Sequence, residues 1–370
     1  VGLRVAIIVP EGIDRSGEYR TVPALLWLVE RLAQRYEVEV FTLFQERASS
    51  EFSVAGAAVH NVGWRRYRTR ALAAIVREHR RRPFDVLHAF WAVPAGLLAV
   101  AAGRLLGRPV MLHLAGGELV SLKDIRYGGR CTLKGRLAVK LAMAGASLNT
   151  AASGPMIRSA EALGFRAEPL VLGVDLKRWP VRKPRPRNGS RARLVHVGSL
   201  SPVKDQTTLL RALALLRARG AAFELDVVGA DTMGGAVQRL AKELGLADCV
   251  RFWDYVRNRQ LRPLVQRADL LVLSSRHEAG PVVLLEAAVS GVPTVGTRVG
   301  HLADLAPEAA VAVPVRDHEA LAQAIGALLA NDRERMRVAE AAQEWAVDHD
   351  ADRTARDVIR RYEELTAKRR

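Results

Sequence analysis

Short apolar runs alternate with amphipathic stretches along the first 180 residues. RVAIIVP (4–10) reads as a buried strand, PALLWLVERLAQR (23–35) as a helix and EVEVFTL (37–43) as a strand again. FDVLHAF (84–90), PVMLHLAG (109–116) and GASLNTA (145–151) continue the series, each with a helical pattern before or after it. Strand–helix alternation of this kind predicts a mostly parallel sheet with helices on both faces.

VRKPRPRNGSRAR (181–193) interrupts the pattern with two prolines, an Asn-Gly and no apolar periodicity, so it reads as a linker. The alternation then restarts. RLVHVGS (193–199), FELDVVGA (223–230), VRFWDYV (250–256), DLLVLSS (269–275) and VPTVGT (292–297) are the predicted strands. DQTTLLRALALLRARG (205–220) is a helix with glycine at its expected end. The 370 residues favour two domains over one. The expected architecture is α/β, with two Rossmann-like, doubly wound halves. The first spans 1–180, the linker 181–193 and the second 194–345. Ligands of such sheets sit beyond the carboxyl ends of the strands, and the cleft between two such halves is the default site.

One stretch departs from simple patterning. HEAGPVVLLEAAVSGVPTVG (277–296) sets Glu278 and Glu286 in an otherwise apolar run. Pro281 suits a first helical position, Gly291 falls just past the end and Pro293 fixes the stop, which predicts a helix over 281–290. A helix apolar on every side is buried. A carboxylate inside it needs a partner or costs several kcal/mol, order of magnitude, in desolvation. A buried structural pair is one reading. The other is a carboxylate held for a polyhydroxylated ligand such as a ribose, with the N–H groups at the helix start available to phosphate. A ribose and a phosphate at one helix start describe a nucleotide.

Charge narrows the partners. The net charge is +17. Residues 1–180 hold 26 Lys/Arg against 15 Asp/Glu, residues 181–193 add six cations and no acid, and the remainder is balanced at 24 of each. An anionic partner for the first half follows: a membrane surface, a nucleic acid or an acidic substrate. GWRRYRTR (63–70) interleaves Trp64 and Tyr67 with four arginines, which suits an anionic membrane with aromatics at headgroup level, or nucleic acid. The two cysteines, Cys131 and Cys249, form neither a disulfide framework nor a zinc spacing, so a reducing compartment is expected. VGLRVAIIVPEG carries an apolar run of only five residues before Pro10, and no segment reaches a spanning length. The expected location is cytoplasmic, with any attachment peripheral on the inner face of the membrane.

EAGPVVLLEA, with seven residues between its glutamates, resembles the signature of glycosyltransferase family 4, the group 1, retaining enzymes of the GT-B fold. SGVPTVGTRVGHLADL, RLVHVGSLSPVKDQTTLLRALALL (193–216), FDVLHAFWAVPAG (84–96), PVMLHLAGGE (109–118) and PLVLGVDLKRWP (169–180) are similar to further family segments in the same order. The resemblance implies a retaining transferase that moves a sugar from a nucleotide-diphosphate donor to a glycan or lipid-linked acceptor. The donor is a co-substrate; no metal and no cofactor are implied. Glu278, His113 and Lys204 would act in catalysis: Glu278 near the sugar hydroxyls or diphosphate, Lys204 on the diphosphate, His113 on the transferred sugar. Glu286 would hold the ribose, with Gly17, Gly198, Ser199, Ala279, Gly280 and Val282 completing the donor-nucleotide site. The second half would bind the donor and the first the acceptor, completed by a C-terminal helix over about 346–370.

Ser199 stands where the family often has arginine, so one diphosphate cation is missing unless Arg15, Arg20 or Arg257 substitutes. Gly12-x-x-x-x-Gly17 is followed by Glu18-Tyr19 and no G-x-G-x-x-G occurs, which disfavours a P-loop NTPase and a dinucleotide oxidoreductase. His88 and His196 lie in apolar strands and read as core residues. The alternatives are a GT-B nucleotide-sugar epimerase and a basic, non-catalytic nucleic-acid-binding protein. Nucleic acid is the less favoured partner.

Overall fold

The computed structural model describes residues 2–367. Val174–Asp350 forms one compact unit, and the described residues on either side of it form another.

The flanking unit carries β1 (Arg4–Val9), β2 (Glu37–Thr42), β3 (Ser50–Val54), β4 (Ala57–Asn61), β5 (Val86–Phe90), β6 (Val110–Leu114), β7 (Leu148–Ala151) and β8 (Glu168–Pro169). Their order is β3-β4-β2-β1-β5-β6-β7-β8, parallel except for the β3–β4 hairpin. Its helices are α1 (Pro23–Ala33), α2 (Tyr67–Arg81), α3 (Leu97–Leu106), α4 (Leu133–Gly145), α5 (Gly154–Glu161) and the terminal helix Ala351–Ala367. β1 and β5 are buried along their whole length, as strands covered by helices on both faces must be. The hairpin was not apparent in the sequence. Its turn residues, Ala55 and Gly56, both have positive φ, and alanine fills a position where Asn or Gly ordinarily announces such a turn.

The terminal helix is an integral part of this unit. Ala355, Val358 and Tyr362 enter the core beside Leu28, Leu32, Phe90 and Met111. Tyr362 Oη and His88 Nδ1 are hydrogen-bonded at 2.6 Å inside that core. Burial holds His88 far below the ordinary histidine range and Tyr362 well above the phenol range, so both are neutral. Arg361 donates to Pro169 O, and Thr354 donates to Val171 O and accepts from Gly173 N. The expected helix starts at 346; instead α12 (below) ends at Asp348 and the terminal helix begins at Ala351. Residues 368–370 of the expectation lie outside the described residues.

Val174–Asp350 builds an all-parallel sheet in the order β11-β10-β9-β12-β13-β14. The strands are β9 (Ala192–Val197), β10 (Phe223–Val228), β11 (Val250–Trp253), β12 (Leu270–Leu273), β13 (Thr294–Thr297) and β14 (Val311–Val313). The helices are α6 (Gln206–Ala218), α7 (Ala236–Glu243), α8 (Asn258–Gln266), α9 (Val282–Val289), α10 (His301–Leu305), α11 (His318–Ala330) and α12 (Asp332–Asp348). Leucines of α6 pack with those of α11 and with Leu194, Leu225 and Leu270 of the strands.

The basic stretch 181–193 is not a free linker. The chain leaves the first unit at 173/174 and returns at 350/351, and Val174 and Asp350 pair as an isolated bridge. Arg182 N donates to Val289 O at the end of α9, and Arg185 Nη2 to Arg267 O at the end of α8. Arg187 N donates to Asp332. The last two residues of the stretch, Ala192 and Arg193, open β9; the proline-broken part before them joins no ladder, but its donors satisfy carbonyls at helix C-termini, where cations are also favoured.

Candidate active site

β9 and β12 are neighbours in the sheet, so the loops that leave their carboxyl ends meet. Asp205 caps α6 by accepting from Thr208 N, which fixes Lys204 at the helix entrance. Ser274 Oγ donates to Lys204 O at 2.8 Å and ties the two loops together. Lys204 Nζ then donates to Glu278 Oε1 at 2.6 Å, and Ser275 Oγ donates to the same oxygen at 2.6 Å. The Glu278 side chain keeps a tenth of its surface exposed. Burial alone would raise its pKa; the Lys204 charge and the hydrogen bonds from Lys204 and Ser275 outweigh that and hold it below the usual carboxylate value. The pair is ionised, with Lys204 still partly open to solvent.

Glycines permit this closeness. The Lys204 stem lies 3.3 Å from where a Cβ on Gly198 would stand. A Cβ on Gly229 would fall 2.2 Å from Gly198 O. Gly300, at φ 51°, would place one 3.0 Å from Glu278 Cβ and Glu278 O. Gly229 and Gly300 were not singled out in the sequence; the available signal was a glycine directly after a strand and one before a helix.

Glu286 lies inside α9, 3% exposed, among Val283, Leu284, Leu285, Ala287, Ala288 and Val289. Its partner is a dipole: Asn258 Nδ2 donates to Glu286 Oε1 at 2.9 Å. Trp179 Nε1 donates to Asn258 Oδ1 at 3.0 Å. An indole N–H can only donate, so it fixes which end of the amide faces Glu286. Burial drives the Glu286 pKa up to about 7, against a smaller lowering by Asn258. Sequence reasoning found Glu286 but neither Trp179 nor Asn258, because nothing local links positions 79 residues apart.

The other expected residues divide between the units. Ser199 is exposed on the Gly198 loop, its carbonyl accepting from Gln206 Nε2. Ala279 is buried, Gly280 half-buried, and Val282 opens α9 half-buried. His196 is a core residue: Nδ1–H donates to Val272 O at 2.8 Å, Gln206 Nε2 donates to its Nε2, and burial lowers its pKa to about 4.

Gly17 and His113 belong to the first unit. Gly17 is required by its φ of 66°, since a Cβ there would meet only ordinary contacts. The His113 ring is fully buried, not open at the strand end as expected, because by alternation it shares the core face of Met111. Its Nδ1 lies 3.0 Å from Thr150 Oγ1, and its Nε2 has no partner among the described residues. Burial, then the Arg361 charge, lowers its pKa to about 3, so the ring is neutral. Glu118, unremarked in the sequence, is a buried carboxylate that accepts from Ala92 N, Ala115 N and Gly116 N and joins the loops after β5 and β6. Of the cations considered for the Ser199 deficit, Arg15 is held bidentate by Glu46 and Arg20 is paired with Glu11. Arg257 is the residue preceding α8, beside Asn258.

Residues 177–345 match the family described as glycosyl transferases group 1, and residues 21–173 match a glycosyl transferase 4-like domain. The D-inositol 3-phosphate glycosyltransferase of Frankia alni is 30% identical over 312 residues, covering 77% of this chain and 75% of that protein. This chain belongs to the group 1 glycosyl transferases. Other curated relatives are matched over about half their length, 50% of one and 42% of another. Solved structures show the fold of this group 1 chain to be GT-B. Sucrose-phosphate synthase from Thermosynechococcus elongatus superposes with a TM-score of 0.80 at 17% identity, over 99% of this chain and 100% of that one. The Anabaena protein HepE in complex with UDP-glucose gives 0.78 at 18% identity, over 98% and 100%.

Proposed function

We propose that the chain is a retaining glycosyltransferase that moves a sugar from a nucleotide-diphosphate donor to a glycan or lipid-linked acceptor. The observation that carries the reading is the pairing, at the carboxyl ends of β9 and β12, of a solvent-reachable Lys204 with an ionised Glu278, followed inside the next helix, α9, by the buried Glu286. In this reading Val174–Asp350 is the donor unit and the other is the acceptor unit. Glu286 accepts from the ribose hydroxyls. Lys204 and the first N–H groups of α9 neutralise the departing diphosphate, from which Pro281 is missing as a donor. Ser199, Ala279, Gly280 and Val282 line the nucleotide by backbone, whereas His113, turned into the core, is assigned no contact with the sugar. The donor phosphate takes the acceptor proton as the new bond forms. The name of the Frankia relative, D-inositol 3-phosphate glycosyltransferase, and the UDP-glucose bound to the Anabaena neighbour support this class of reaction.

We further propose that the acceptor unit works at an anionic membrane surface. The excess of cations in residues 1–180 supports this. No helix among the described residues is long and apolar enough to cross a membrane, so contact would be peripheral.

Thermal denaturation in UDP-, GDP- and ADP-sugars tests the donor. The right donor at a hundred times its dissociation constant adds about 2.7 kcal/mol of stability. No shift with any nucleotide sugar, in a chain that instead melts higher with single-stranded nucleic acid, would overturn the transferase reading.

A further inference from the structure

On α4, Leu133, Leu137 and Leu141 are 80%, 59% and 50% exposed. At 3.6 residues per turn these three and the exposed Ala144 form one stripe along the helix. Lys134 lies along one side of it and Arg136 and Lys140 along the other, all exposed. The opposite face is anchored: Val139, Ala142 and Met143 are buried, and Thr132 caps the helix by accepting from Gly135 N. The leucines therefore stand on a fixed helix and not on a fraying end. Single exposed apolar residues are ordinary, whereas a contiguous stripe marks an interaction surface.

The charges select the occupant. Residues 119–146 hold Lys123, Arg126, Arg130, Lys134, Arg136 and Lys140 against Asp124 alone. Among the described residues Lys134, Arg136 and Lys140 have no acidic partner. Leucines flanked by unpaired cations on long apolar stems match a helix lying at a lipid surface, with heads at phosphate level and leucines below. The basic segment 63–70 is different. Trp64 Nε1 donates to Phe44 O with Arg47 over its ring, and Tyr67 packs edge-on against Phe44 with Arg68 over it. Trp64 stays 48% exposed but is tied down at its Nε1, and Tyr67 is half-buried, so that segment offers charge and one aromatic in place of a continuous apolar stripe.

We propose that α4 is the membrane-contacting element: it lies in the interface of an anionic bilayer, with Leu133, Leu137 and Leu141 among the acyl chains and Lys134, Arg136 and Lys140 at the phosphates. This rests on the membrane part of the proposed function and gives it a surface other than 63–70.

The test is co-sedimentation of the full chain with phosphatidylcholine vesicles, with and without phosphatidylglycerol. Three variants are compared with the wild type: Leu133, Leu137 and Leu141 all changed to Ser; Lys134, Arg136 and Lys140 all changed to Gln; and Arg65, Arg66, Arg68 and Arg70 all changed to Gln. The expected result is binding to the anionic vesicles only, reduced about tenfold or more in either α4 variant and less in the third. Wild-type recovery by the leucine variant, equal binding to neutral vesicles, or no vesicle binding at all would overturn the proposal. So would a dimer in sedimentation velocity that the serine changes disperse, since the stripe would then face a second copy. Donor-induced thermal stabilisation, measured without vesicles, should be the same in every variant. If it is absent from the wild type while vesicle binding holds, the transferase reading fails and the lipid surface stands.

Discussion

Glu278 and Glu286 are eight positions apart in the sequence, and both are withdrawn from water, yet their surroundings set opposite chemistry. Glu278 meets a cation and a hydroxyl, and its pKa falls. Glu286 meets one amide, and its pKa climbs to about 7. A full charge nearby offsets desolvation where a single dipole does not. Glu278 is therefore satisfied before any ligand arrives and serves to hold Lys204. Glu286 is under-satisfied: two hydroxyls donating to it would complete its hydrogen bonding and bring its pKa down. In the proposed function the first carboxylate would organise charge for a phosphate, and the second would receive a diol.

The harshest way to break this contrast is to remove the cation. Lys204→Ala should slow sugar transfer roughly a hundredfold, as loss of a charge-stabilising group typically does. It also leaves Glu278 buried with Ser275 and the weaker influence of His277, so its pKa should rise toward the behaviour of Glu286. Lys204→Ala combined with Glu278→Gln separates the two effects. If the second change restores stability but not rate, Lys204 acts on the leaving group. Wild-type turnover in Lys204→Ala would mean that the diphosphate is bound by another loop.

Glu286→Gln keeps the shape and removes the charge. Donor affinity by calorimetry should drop at least tenfold, about 1.4 kcal/mol. Stability gives an independent reading. Glu286 has a folded pKa of about 7, above the unfolded value of about 4.3. The folded state therefore binds more protons across that window. Stability is full below the lower value and is lost as pH rises through the upper one, so the wild type should weaken toward pH 8. The glutamine variant should not share that slope. A variant that binds donor normally, with the same pH slope as the wild type, would remove Glu286 from both roles.

How much of this was legible differs between the two carboxylates. The strand–loop–helix frame around Lys204 and Glu278 could be read because its element ends are punctuated, by Asp205 before one helix and by Pro281 and Gly291 around another, while Lys204 itself was singled out by the family resemblance. Most of the parallel strands were legible because they are short runs of buried apolar residues; the edge strands β8 and β14, two and three residues long, were not. The β3–β4 hairpin was not, since Ala55 occupies a turn position that alanine rarely announces. His113 showed a strand-end histidine in sequence, but strand alternation turns it into the core. The partners of Glu286 were hidden for another reason. Trp179 precedes the basic stretch and Asn258 opens α8, and only the folding of that stretch along α8 and α9 brings them to the carboxylate.

The finest test acts on that hidden chain. Asn258→Ala removes the one dipole that favours ionised Glu286. A hydrogen bond worth about 1.4 kcal/mol to the charged form corresponds to a pKa change of about one. The carboxylate would then be about half ionised at pH 7 in the wild type and about a tenth in the variant. If the ionised form binds the ribose, donor affinity at pH 7 should fall roughly fivefold. At pH 9 both proteins are almost fully ionised, so the difference should nearly vanish. Trp179→Phe should give a smaller shift of the same sign, about twofold, because Asn258 remains but its amide can turn its oxygen toward Glu286. A loss independent of pH in both variants would show that Trp179 and Asn258 only fill space, and that the ionisation of Glu286 is set by burial alone.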